Sequence, residues 1–472
     1  MITCRGIQEI EKRVFRTGIS AETLMEKVGR RMAQVILRDH PISGRAEAYL
    51  GKGHNAGDAL VVLRLLKQEG WQVSVNLAFP ETEMAVLTRK KLRELGELGS
   101  DHDFRRGPHF LLDGMLGIGT EGSLREPLLG MAEEMNERRL NSGARVVAMD
   151  IPTGLDADTG GEGAVVADLT LTVGIPKLGL VADSATDFVG RLELIEVEEL
   201  PLPEEGDRLI SRPFLRPRPF SFHKGQAGRI GIIAGSPGLL GAAALACQGA
   251  LRGGAGLITL WAEKELLSDL RAMVSPEVMI RELGDDWNEV CQLSPDALVI
   301  GPGLGTDCSD SLFRLLEKNQ LPTVLDADAL NLIATHERQD LLGANILATP
   351  HPGEMARLHV VDGTRAEITR SFSEAYPATL LYKGARTIVT RKGEPLFYNT
   401  TGTPAMATGG QGDLLSGVLG ALLAGGQDLL SAACQGAWLA GRAAELALLD
   451  GESERSLTPG DVARHLGRAM KG

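Results

Sequence analysis

RIGIIAGSPGLLGAAALACQGALRGGAGLITLWA, residues 229–262, decides the fold of the second half of the chain. A short apolar run at 229–235 ends in glycine, small residues with helical spacing follow, and a second apolar run occupies 257–262. Short apolar runs separated by a helical segment are typical of parallel strand–helix–strand units. The stretch therefore predicts a parallel sheet covered by helices, which is an α/β fold.

The same alternation extends in both directions from this unit. Downstream, strands are predicted at ALVIG, TVLDA, NILAT, TLLYK and TIVTR, followed by two alanine-rich helices at 412–424 and 430–449. Upstream, a helical region at 7–40 with Ser20 as N-cap precedes strands at 46–50, 73–79, 109–113, 145–150 and 168–174. Helices are predicted between these strands, from Asp58 and around 83–98 and 124–140. The first half is thus predicted to be a doubly wound parallel sheet, different from the second.

The alternation stops between Leu200 and Phe220. The sequence PLPEEGDRLISRPFLRPRPF, residues 201–220, contains five prolines and has no helical or strand period. A chain of 472 residues is long enough for two or three domains. We therefore predict two domains, 1–205 and 215–472.

Composition excludes several classes of protein. The formal net charge is −13, so the surface repels a phosphate backbone and we expect no nucleic-acid partner. The five cysteines are far apart and form no C-x-x-C pair, which is typical of a reducing compartment. The start has no apolar signal-peptide core, and no apolar stretch is long enough to span a bilayer. We expect a cytoplasmic protein without a membrane partner.

Three strand ends in the first half carry candidate ligand-binding residues. G-K-G-H-N-A-G-D, residues 51–58, either approaches a pyrophosphate at a helix start or is a tight turn capped by Asp58. Asp113 ends a strand before a glycine-rich loop, and Asp150 ends another before I-P-T-G. The carboxyl ends of parallel strands meet at one edge, where such sheets bind ligands. Asn55, Asp113 and Thr153 would offer only oxygen ligands there, which suits a hard cation rather than zinc.

The most specific stretch of the second half is T-G-G-Q-G-D-L-L-S-G, residues 408–417. Glycine N–H groups at a helix start form an anion-binding site that the helix dipole strengthens. Asp413 inside this segment is either a general base facing a phosphate or an acidic residue favoured by the dipole. We favour the general base.

Three further strand ends of the second half turn through glycine, at 301–305, 349–354 and 383–387. Lys383 either meets phosphate or is a solvated lysine at a strand end. His351, between two prolines, is either a site residue or a loop histidine. Asp326 and Asp328 either serve magnesium or cap the next helix, and we favour capping.

These motifs together resemble those of the bifunctional NAD(P)H-hydrate repair enzymes. In the first half the family patterns G-N-N-G-G-D-G, D-x-x-x-G-x-G and D-I-P-S-G-L-D-A-D correspond to 53–59, 113–119 and 150–158, with M-E-x-x-G and G-x-P-K-x-G at 25–29 and 174–179. In the second half the patterns lie at 223–228, 234–242, 250–257, 301–305, 349–354, 383–387 and 399–417. The resemblance implies a Rossmann-like doubly wound epimerase domain followed by a ribokinase-like α/β dehydratase domain. It covers nearly the whole chain.

The resemblance also implies the substrates, the ions and the site residues. The epimerase would interconvert the R and S hydrates of NADH and NADPH, and the dehydratase would use ADP and Mg²⁺ to convert the S hydrate to NAD(P)H, AMP and phosphate. We further expect a homo-oligomer. The implied potassium ligands are Asn55, Asp113 and Thr153. The implied epimerase contacts are His54, Asn55, Ala56, Gly57, Asp58, Gly117, Ile118, Gly119, Thr120, Glu121, Gly122, Ser123 and Asp150. The implied dehydratase contacts to the hydrate are Ala242, Gly305, His351 and Asp413, and those to the nucleotide are Lys383, Gly384, Ala385, Arg386, Thr387 and Gly412.

The sequence departs from the family pattern beside the first glycine loop. His54 replaces an asparagine, and Ala56 and Ala59 replace glycines. A Cβ at position 56 would restrict positive φ and the approach of the backbone to phosphate, so we expect weakened epimerase activity. The alternative is a kinase for a thiazole or pyrimidine alcohol with a non-catalytic N-terminal binding module.

Overall fold

The computed structural model describes residues 1, 3–16, 18–96, 107–118, 122, 124–200 and 206–471. The chain forms two compact units, Met1–Gly206 and Asp207–Gly472. Each has its own sheet and its own buried apolar cores. Within the described ranges, no helix combines the length and the hydrophobicity needed to cross a bilayer.

The first unit is a parallel sheet between helices. Its described strands are β1 (Arg45–Leu50), β2 (Gln72–Leu77), β3 (His109–Gly114), β4 (Arg145–Met149), β5 (Leu169–Val173) and β6 (Arg191–Ile195). Its described helices are α1 (Cys4–Arg16), α2 (Ala21–Asp39), α3 (His54–Gln68), α4 (Val86–Leu95), α5 (Leu128–Ser142) and α6 (Thr186–Val189). The strand order β2-β1-β3-β4-β5-β6 with parallel pairing confirms the doubly wound fold.

Most elements of the first unit start where the sequence predicts. Ser20 caps α2, because its hydroxyl accepts a hydrogen bond from the Thr23 N–H at 3.0 Å. Helix α3 instead begins four residues before Asp58, at His54, with Gly53 as its N-cap. The interpretation of Asp58 as the helix cap is therefore wrong. Strand β6 was not predicted.

The second unit is a larger mixed sheet. Its described strands are β7 (Arg208–Leu209), β8 (Arg229–Ile233), β9 (Leu257–Ala262), β10 (Val278–Glu282), β11 (Ala297–Ile300), β12 (Thr323–Leu325), β13 (Ile346–Ala348), β14 (Thr379–Tyr382), β15 (Ile388–Thr390) and β16 (Phe397–Tyr398). Its described helices are α7 (Leu240–Gly253), α8 (Leu267–Met273), α9 (Glu289–Gln292), α10 (Ser309–Lys318), α11 (Asp328–Thr335), α12 (Pro352–Leu358), α13 (Arg365–Ala375), α14 (Gln411–Ala424), α15 (Leu429–Leu449) and α16 (Pro459–Lys471). The order is β10-β9-β8-β11-β12-β13-β14-β15-β16-β7; pairing from β10 to β14 is parallel, and β15 is antiparallel to both of its neighbours.

Small residues allow α7 and α14 to pack with their backbones in contact. A Cβ on Gly417 would lie 1.9 Å from the carbonyl oxygen of Ala246, and one on Gly249 would lie 2.1 Å from that of Leu414. Any larger residue at either position would force the helices apart. This close packing fixes the N-terminal end of α14, which carries Asp413, beside the ends of the central strands.

The second unit begins earlier than the predicted start at 215. Strand β7 pairs with β16 at the sheet edge, where the Arg208 N–H donates to Leu396 O at 2.9 Å and the Ile210 N–H to Tyr398 O at 2.8 Å. Asp207 accepts a hydrogen bond from the Leu396 N–H, and Ile210 is buried. The sequence did not predict this strand, because it lies in a proline-rich segment and two residues are too few to show the apolar–polar alternation of a strand.

We therefore expect the choice of start residue to decide the stability of an isolated second unit. A fragment 207–472 keeps β7 and Ile210, whereas 211–472 loses both. Deleting one buried Ile costs about 2–5 kcal/mol, so the shorter fragment should have a lower free energy of unfolding by at least about that amount. Urea unfolding of the two fragments measures the difference. Equal stability would show that β7 contributes nothing.

Candidate functional sites

The first candidate site lies at the carboxyl ends of β1, β3 and β4. The Asp113 carboxylate accepts hydrogen bonds from the Thr153 hydroxyl and the Thr153 N–H, both at 2.7 Å, and from the Met115 N–H at 3.2 Å. The Asn55 amide donates to Leu116 O at 2.7 Å, and the Leu116 N–H donates to the Thr153 hydroxyl at 3.1 Å. The three predicted cation ligands are thus brought together by one hydrogen-bond network.

Asp113 is a buried carboxylate, and among the described residues no basic side chain acts on it. Burial raises its pKa to about 6, while the hydrogen bonds from Thr153 and Met115 act in the opposite direction. A bound cation would supply the missing positive charge, and oxygen donors are the ligands that a hard cation prefers. The residues present therefore fit a potassium ion.

Asp150 lies at the end of β4 in a left-handed backbone conformation, φ +68°. Its carboxylate forms an ion pair with Lys177, which is 1% exposed, and accepts from the Val173 N–H at 2.8 Å. Lys177 also donates to the Thr172 hydroxyl at 3.1 Å. Lys177 was not singled out from the sequence, although it lies inside the quoted G-I-P-K-L-G motif.

The alanines at positions 56 and 59 do not disturb the backbone. Both lie inside α3, are fully buried, and belong to the core cluster of this unit. Neither has positive φ. The expected restriction of positive φ at Ala56 is therefore wrong, because the Cβ points into the core rather than toward a ligand. The predicted contacts Gly119, Thr120, Glu121 and Ser123 lie outside the described residues.

The second candidate site lies at the N-terminal end of α14. Asp413 is the third residue of this helix, after the N-cap Gly410, whose φ of +90° favours glycine. Burial, and secondarily the negative charge of Asp326, raises the pKa of Asp413 to about 6, while Lys383 acts in the opposite direction. A carboxylate with this pKa is suited to accept a proton near neutral pH.

Asp326 and Lys383 form a buried ion pair beside Asp413. Their atoms Oδ1 and Nζ are 2.7 Å apart, and the Ser416 hydroxyl donates to Asp326 Oδ2, also at 2.7 Å. Burial would raise the pKa of Asp326, but the charge of Lys383 and its hydrogen bond lower it overall. Lys383 is only 18% exposed, so it is not a solvated lysine. A Cβ on Gly412 would lie 3.3 Å from Lys383 Nζ, which places the ammonium group of Lys383 at the start of α14.

The preferred interpretation of Asp326 and Asp328 as helix caps is wrong. Ala327 occupies the N-cap position of α11, and no side chain caps that helix. The carboxylate of Asp326 instead forms the ion pair with Lys383 and accepts the hydrogen bond from Ser416. Asp328 accepts a hydrogen bond from the Gly305 N–H at 2.9 Å and so fixes a predicted hydrate contact.

His351 caps α12 and also borders the second site. Its Nδ1 accepts from the N–H groups of Gly353 and Glu354, at 3.0 and 3.3 Å, so its side chain has a structural role. Its ring is 51% exposed, with Nε2 3.3 Å from Glu354. Glu354 in turn lies 3.8 Å from Lys383. The sequence did not single out Glu354, although the T-P-H-P-G-E motif contains it.

Ala242 lies in the first turn of α7, and Gly305 lies in the loop that follows β11. A Cβ on Gly303 would lie 2.9 Å from the Ala242 Cβ, and one on Gly305 would lie 3.3 Å from the Ser236 hydroxyl. The loop 301–305 therefore packs against the segment that leads into α7. The second site thus brings together a helix N-terminus, a carboxylate of raised pKa and a buried lysine. Fold and site together define a two-domain α/β protein whose second unit presents a helix N-terminus of the kind that binds phosphate groups.

Comparison with known proteins gives the family. Residues 230–466 match the family described as NAD(P)H-hydrate dehydratase, and residues 21–179 match the family described as YjeF-related protein N-terminus. The chain is 33% identical to a bifunctional NAD(P)H-hydrate repair enzyme of Coxiella burnetii over 98% of this chain and 97% of that one. It is 36% identical to one of Gloeobacter violaceus over 94% of each chain. A crystal structure of a ribokinase-like superfamily protein from Enterococcus faecalis matches with a TM-score of 0.50 and 25% identity, covering 57% of this chain and 97% of that one.

The chain belongs to the family of bifunctional NAD(P)H-hydrate repair enzymes. The predicted family and the predicted fold, a Rossmann-like unit followed by a ribokinase-like unit, are confirmed. The predicted enzyme class, an NAD(P)H-hydrate epimerase joined to an NAD(P)H-hydrate dehydratase, is confirmed as well. The alternative of a small-molecule kinase with a non-catalytic first domain is not favoured.

Proposed function

We propose that the first unit interconverts the R and S hydrates of NADH and NADPH, and that the second unit dehydrates the S hydrate with ADP as phosphoryl donor. The observation that carries the dehydratase proposal is the position of Asp413 at the start of α14 beside the buried Asp326–Lys383 pair. The products are NAD(P)H, AMP and phosphate. Five free, widely spaced cysteines suit a reducing compartment, so we place the enzyme in the cytoplasm.

Asp413 acts as the general base in this proposal. It takes the proton of the C6 hydroxyl while that oxygen bonds to the β-phosphorus of ADP and the bond to AMP breaks. The C6–O bond then breaks with release of phosphate, as the lone pair of the ring nitrogen forms an iminium. Loss of a C5 proton restores the dihydronicotinamide. Phosphate is a far better leaving group than hydroxide, which explains why loss of water requires a nucleotide.

The remaining residues of the second site bind and orient the two substrates. Lys383–Thr387 and Gly412 hold the nucleotide, while Ala242, Gly305 and His351 contact the hydrate. Mg²⁺ bound with the nucleotide would neutralise charge on its phosphates. Of the two candidate aspartates, Asp328 fits this ion better, because the carboxylate of Asp326 is committed to Lys383 and Ser416.

Asn55, Asp113 and Thr153 hold potassium in the proposed epimerase site, and Asp150 and the loop from Gly117 contact the hydrate. Interconversion of the C6 epimers needs no redox change, only reversible opening of the carbinolamine-like centre, which acid–base groups assist. The ion supplies a fixed positive charge beside Asp113. The buried Lys177 keeps Asp150 in place through their ion pair.

The test of the proposed function is the repair reaction itself. Purified protein is incubated with mixed NADPH-hydrate epimers, ADP and magnesium while absorbance at the reduced-nicotinamide band is followed. We expect complete conversion of both epimers. A stable phosphorylated product without reduced-nicotinamide absorbance would instead identify a kinase.

Epimerisation is expected to depend on potassium through Asp113. Replacing potassium with tetramethylammonium should slow epimerisation by at least about tenfold, because the larger ion does not fit between three oxygen ligands. Asp113→Asn should slow it similarly and abolish the response to potassium. Nuclear magnetic resonance of the exchanging epimers measures the rate. A potassium response that survives in Asp113→Asn would remove the proposed cation site.

The rate of dehydration is expected to fall as the pH is lowered through about 6. A base must be ionised to accept a proton, and the pKa of Asp413 is raised to about 6. kcat/KM for the S hydrate should therefore be level above about pH 7 and fall tenfold per pH unit below the pKa. A profile that remains level down to pH 4.5 would show that Asp413 is not the base.

A further inference from the structure

Arg365 lies outside every motif discussed above, yet it contacts the loop that follows β14. Its Nη1 donates to Arg386 O at 3.0 Å, and its Nη2 donates to Tyr382 O at 3.1 Å and to Lys383 O at 3.2 Å. The guanidinium also lies over the Tyr382 ring, 4.8 Å from its centroid. One planar side chain therefore holds three main-chain carbonyls at both ends of the loop 383–387.

The position of Arg365 is itself fixed. It is the first residue of α13, and a capping box between Thr364 and Glu367 defines the start of that helix. The Thr369 hydroxyl bonds back to the carbonyl of Arg365 at 2.7 Å. The guanidinium therefore extends from a rigid helix end rather than from a loop.

Gly384 provides a second, independent indication that the loop is fitted around Arg365. A Cβ on Gly384 would lie 2.5 Å from Arg365 Nη2 and 2.6 Å from its Cζ. No left-handed φ requires glycine at this position. The space taken by the guanidinium therefore accounts for the glycine in the K-G-A-R-T sequence.

The held carbonyls determine where the loop's N–H groups point. In a planar trans peptide the carbonyl and the following N–H point in opposite directions. Because the carbonyls of Lys383 and Arg386 point at Arg365, the N–H groups of Gly384 and Thr387 point away from it. Gly384 is exposed to solvent.

We propose that Arg365 is a positioning residue for nucleotide binding, which orients the Gly384 and Thr387 amides toward the oxygens of a nucleoside diphosphate. This inference rests on the proposed function of the 383–387 loop. Arg365 itself does not touch the reacting atoms. Its loss raises the KM for ADP and leaves kcat at saturating ADP nearly unchanged.

The experiment compares Arg365→Ala, Arg365→Lys, Gly384→Ala and the double variant Arg365→Ala/Gly384→Ala in the full chain. Hydrogen bonds from a charged group are each worth a factor of about ten or more, so each single variant should raise the KM for ADP about 10–100-fold. Lysine should not rescue, because a point charge cannot hold three carbonyls as a planar fork does. Gly384→Ala should add little to Arg365→Ala, since both changes displace the same guanidinium.

Arg370→Ala is the matched control, because Arg370 lies on the same helix but its guanidinium pairs with Asp207, just before β7. It should leave the KM for ADP unchanged, and thermal unfolding checks that all variants fold. A fall in kcat without a rise in KM, or additive effects of the two substitutions, would overturn the positioning role. Equilibrium binding of ADP to the unaltered enzyme separates the two hypotheses. If ADP does not bind, the proposed function fails; if it binds equally to Arg365→Ala, only the inference about Arg365 fails.

Discussion

Replacing Asp413 with asparagine is expected to lower kcat for dehydration by about 10²–10⁴, the usual contribution of a general base. Asparagine has nearly the same size and retains a hydrogen-bonding oxygen, but it cannot take the proton of the C6 hydroxyl. The affinity for ADP should change little, because the proposed nucleotide contacts are Lys383–Thr387 and Gly412. Stopped-flow measurement of reduced-nicotinamide absorbance at saturating ADP gives the rate.

The same substitution is expected to stabilise the second unit at neutral pH. Burial raises the pKa of Asp413 to about 6 from 3.8, so the folded protein carries an ionised carboxylate at a cost. A neutral asparagine avoids that cost, and the gain should be about 1–3 kcal/mol at pH 7–8. The gain should shrink as the pH is lowered through about 6, because the native carboxyl group then becomes protonated as well.

Stability and activity should therefore change in opposite directions, which misfolding cannot produce. Asp428→Asn is the matched control, since Asp428 caps α15 and asparagine caps as well as aspartate. It should leave the rate unchanged and lower the stability slightly, because, against the effect of burial, the hydrogen bonds from Ser431 and Leu430 lower the pKa of Asp428 and its charge is lost in asparagine. Dehydration by Asp413→Asn at near-native rate would exclude Asp413 as the base. Loss of epimerisation in the same variant would contradict separate sites in the two units.

The sequence revealed those site residues whose chemical type and whose place at a predicted strand end or helix start both indicate a site. Asp413 is recognisable because its glycines and the apolar helix after it are contiguous. Asp113 and Thr153 are recognisable because one lies at the end of a strand and the other follows a strand, and parallel strands end at one edge. In both cases the sequence pattern predicts where the neighbouring strand or helix ends, and so where the residue lies.

What the sequence could not reveal depends on contacts between distant segments. Asp326 is 57 residues from Lys383, and nothing in L-D-A-D-A-L indicates that the carboxylate faces a lysine rather than a helix end. Arg365 donates hydrogen bonds to main-chain carbonyls of the segment 382–386. Every residue has such a carbonyl, so these contacts leave no pattern in the sequence. The prediction for Ala56 was wrong for a local reason. The glycine-rich pattern indicated a loop, whereas the chain is already helical at this position.

Removing Asp326 is expected to have the largest effect on folding. Asp326 is 1% exposed, and its carboxylate is the acceptor for both Lys383 and Ser416. Asp326→Ala leaves the ammonium group of Lys383 in a largely buried site with weaker partners, Glu354 at 3.8 Å and the more distant charge of Asp413. Breaking a buried ion pair from one side costs about 3–5 kcal/mol, so the free energy of unfolding of the second unit should fall by about that amount.

The double variant Asp326→Leu/Lys383→Met distinguishes the cost of the unpaired charge from the loss of packing. Replacing both charges with apolar side chains of similar volume is often neutral or stabilising, so most of the lost stability should return. Dehydration should not return, because the proposed phosphate contact of Lys383 is absent. Asp340→Ala is the control, since Asp340 pairs with Arg338 at the surface, where ion pairs contribute at most about 1 kcal/mol. Urea unfolding of isolated 207–472 provides the values, and a double variant no more stable than Asp326→Ala would show that packing around Asp326, rather than its charge, holds this part of the fold.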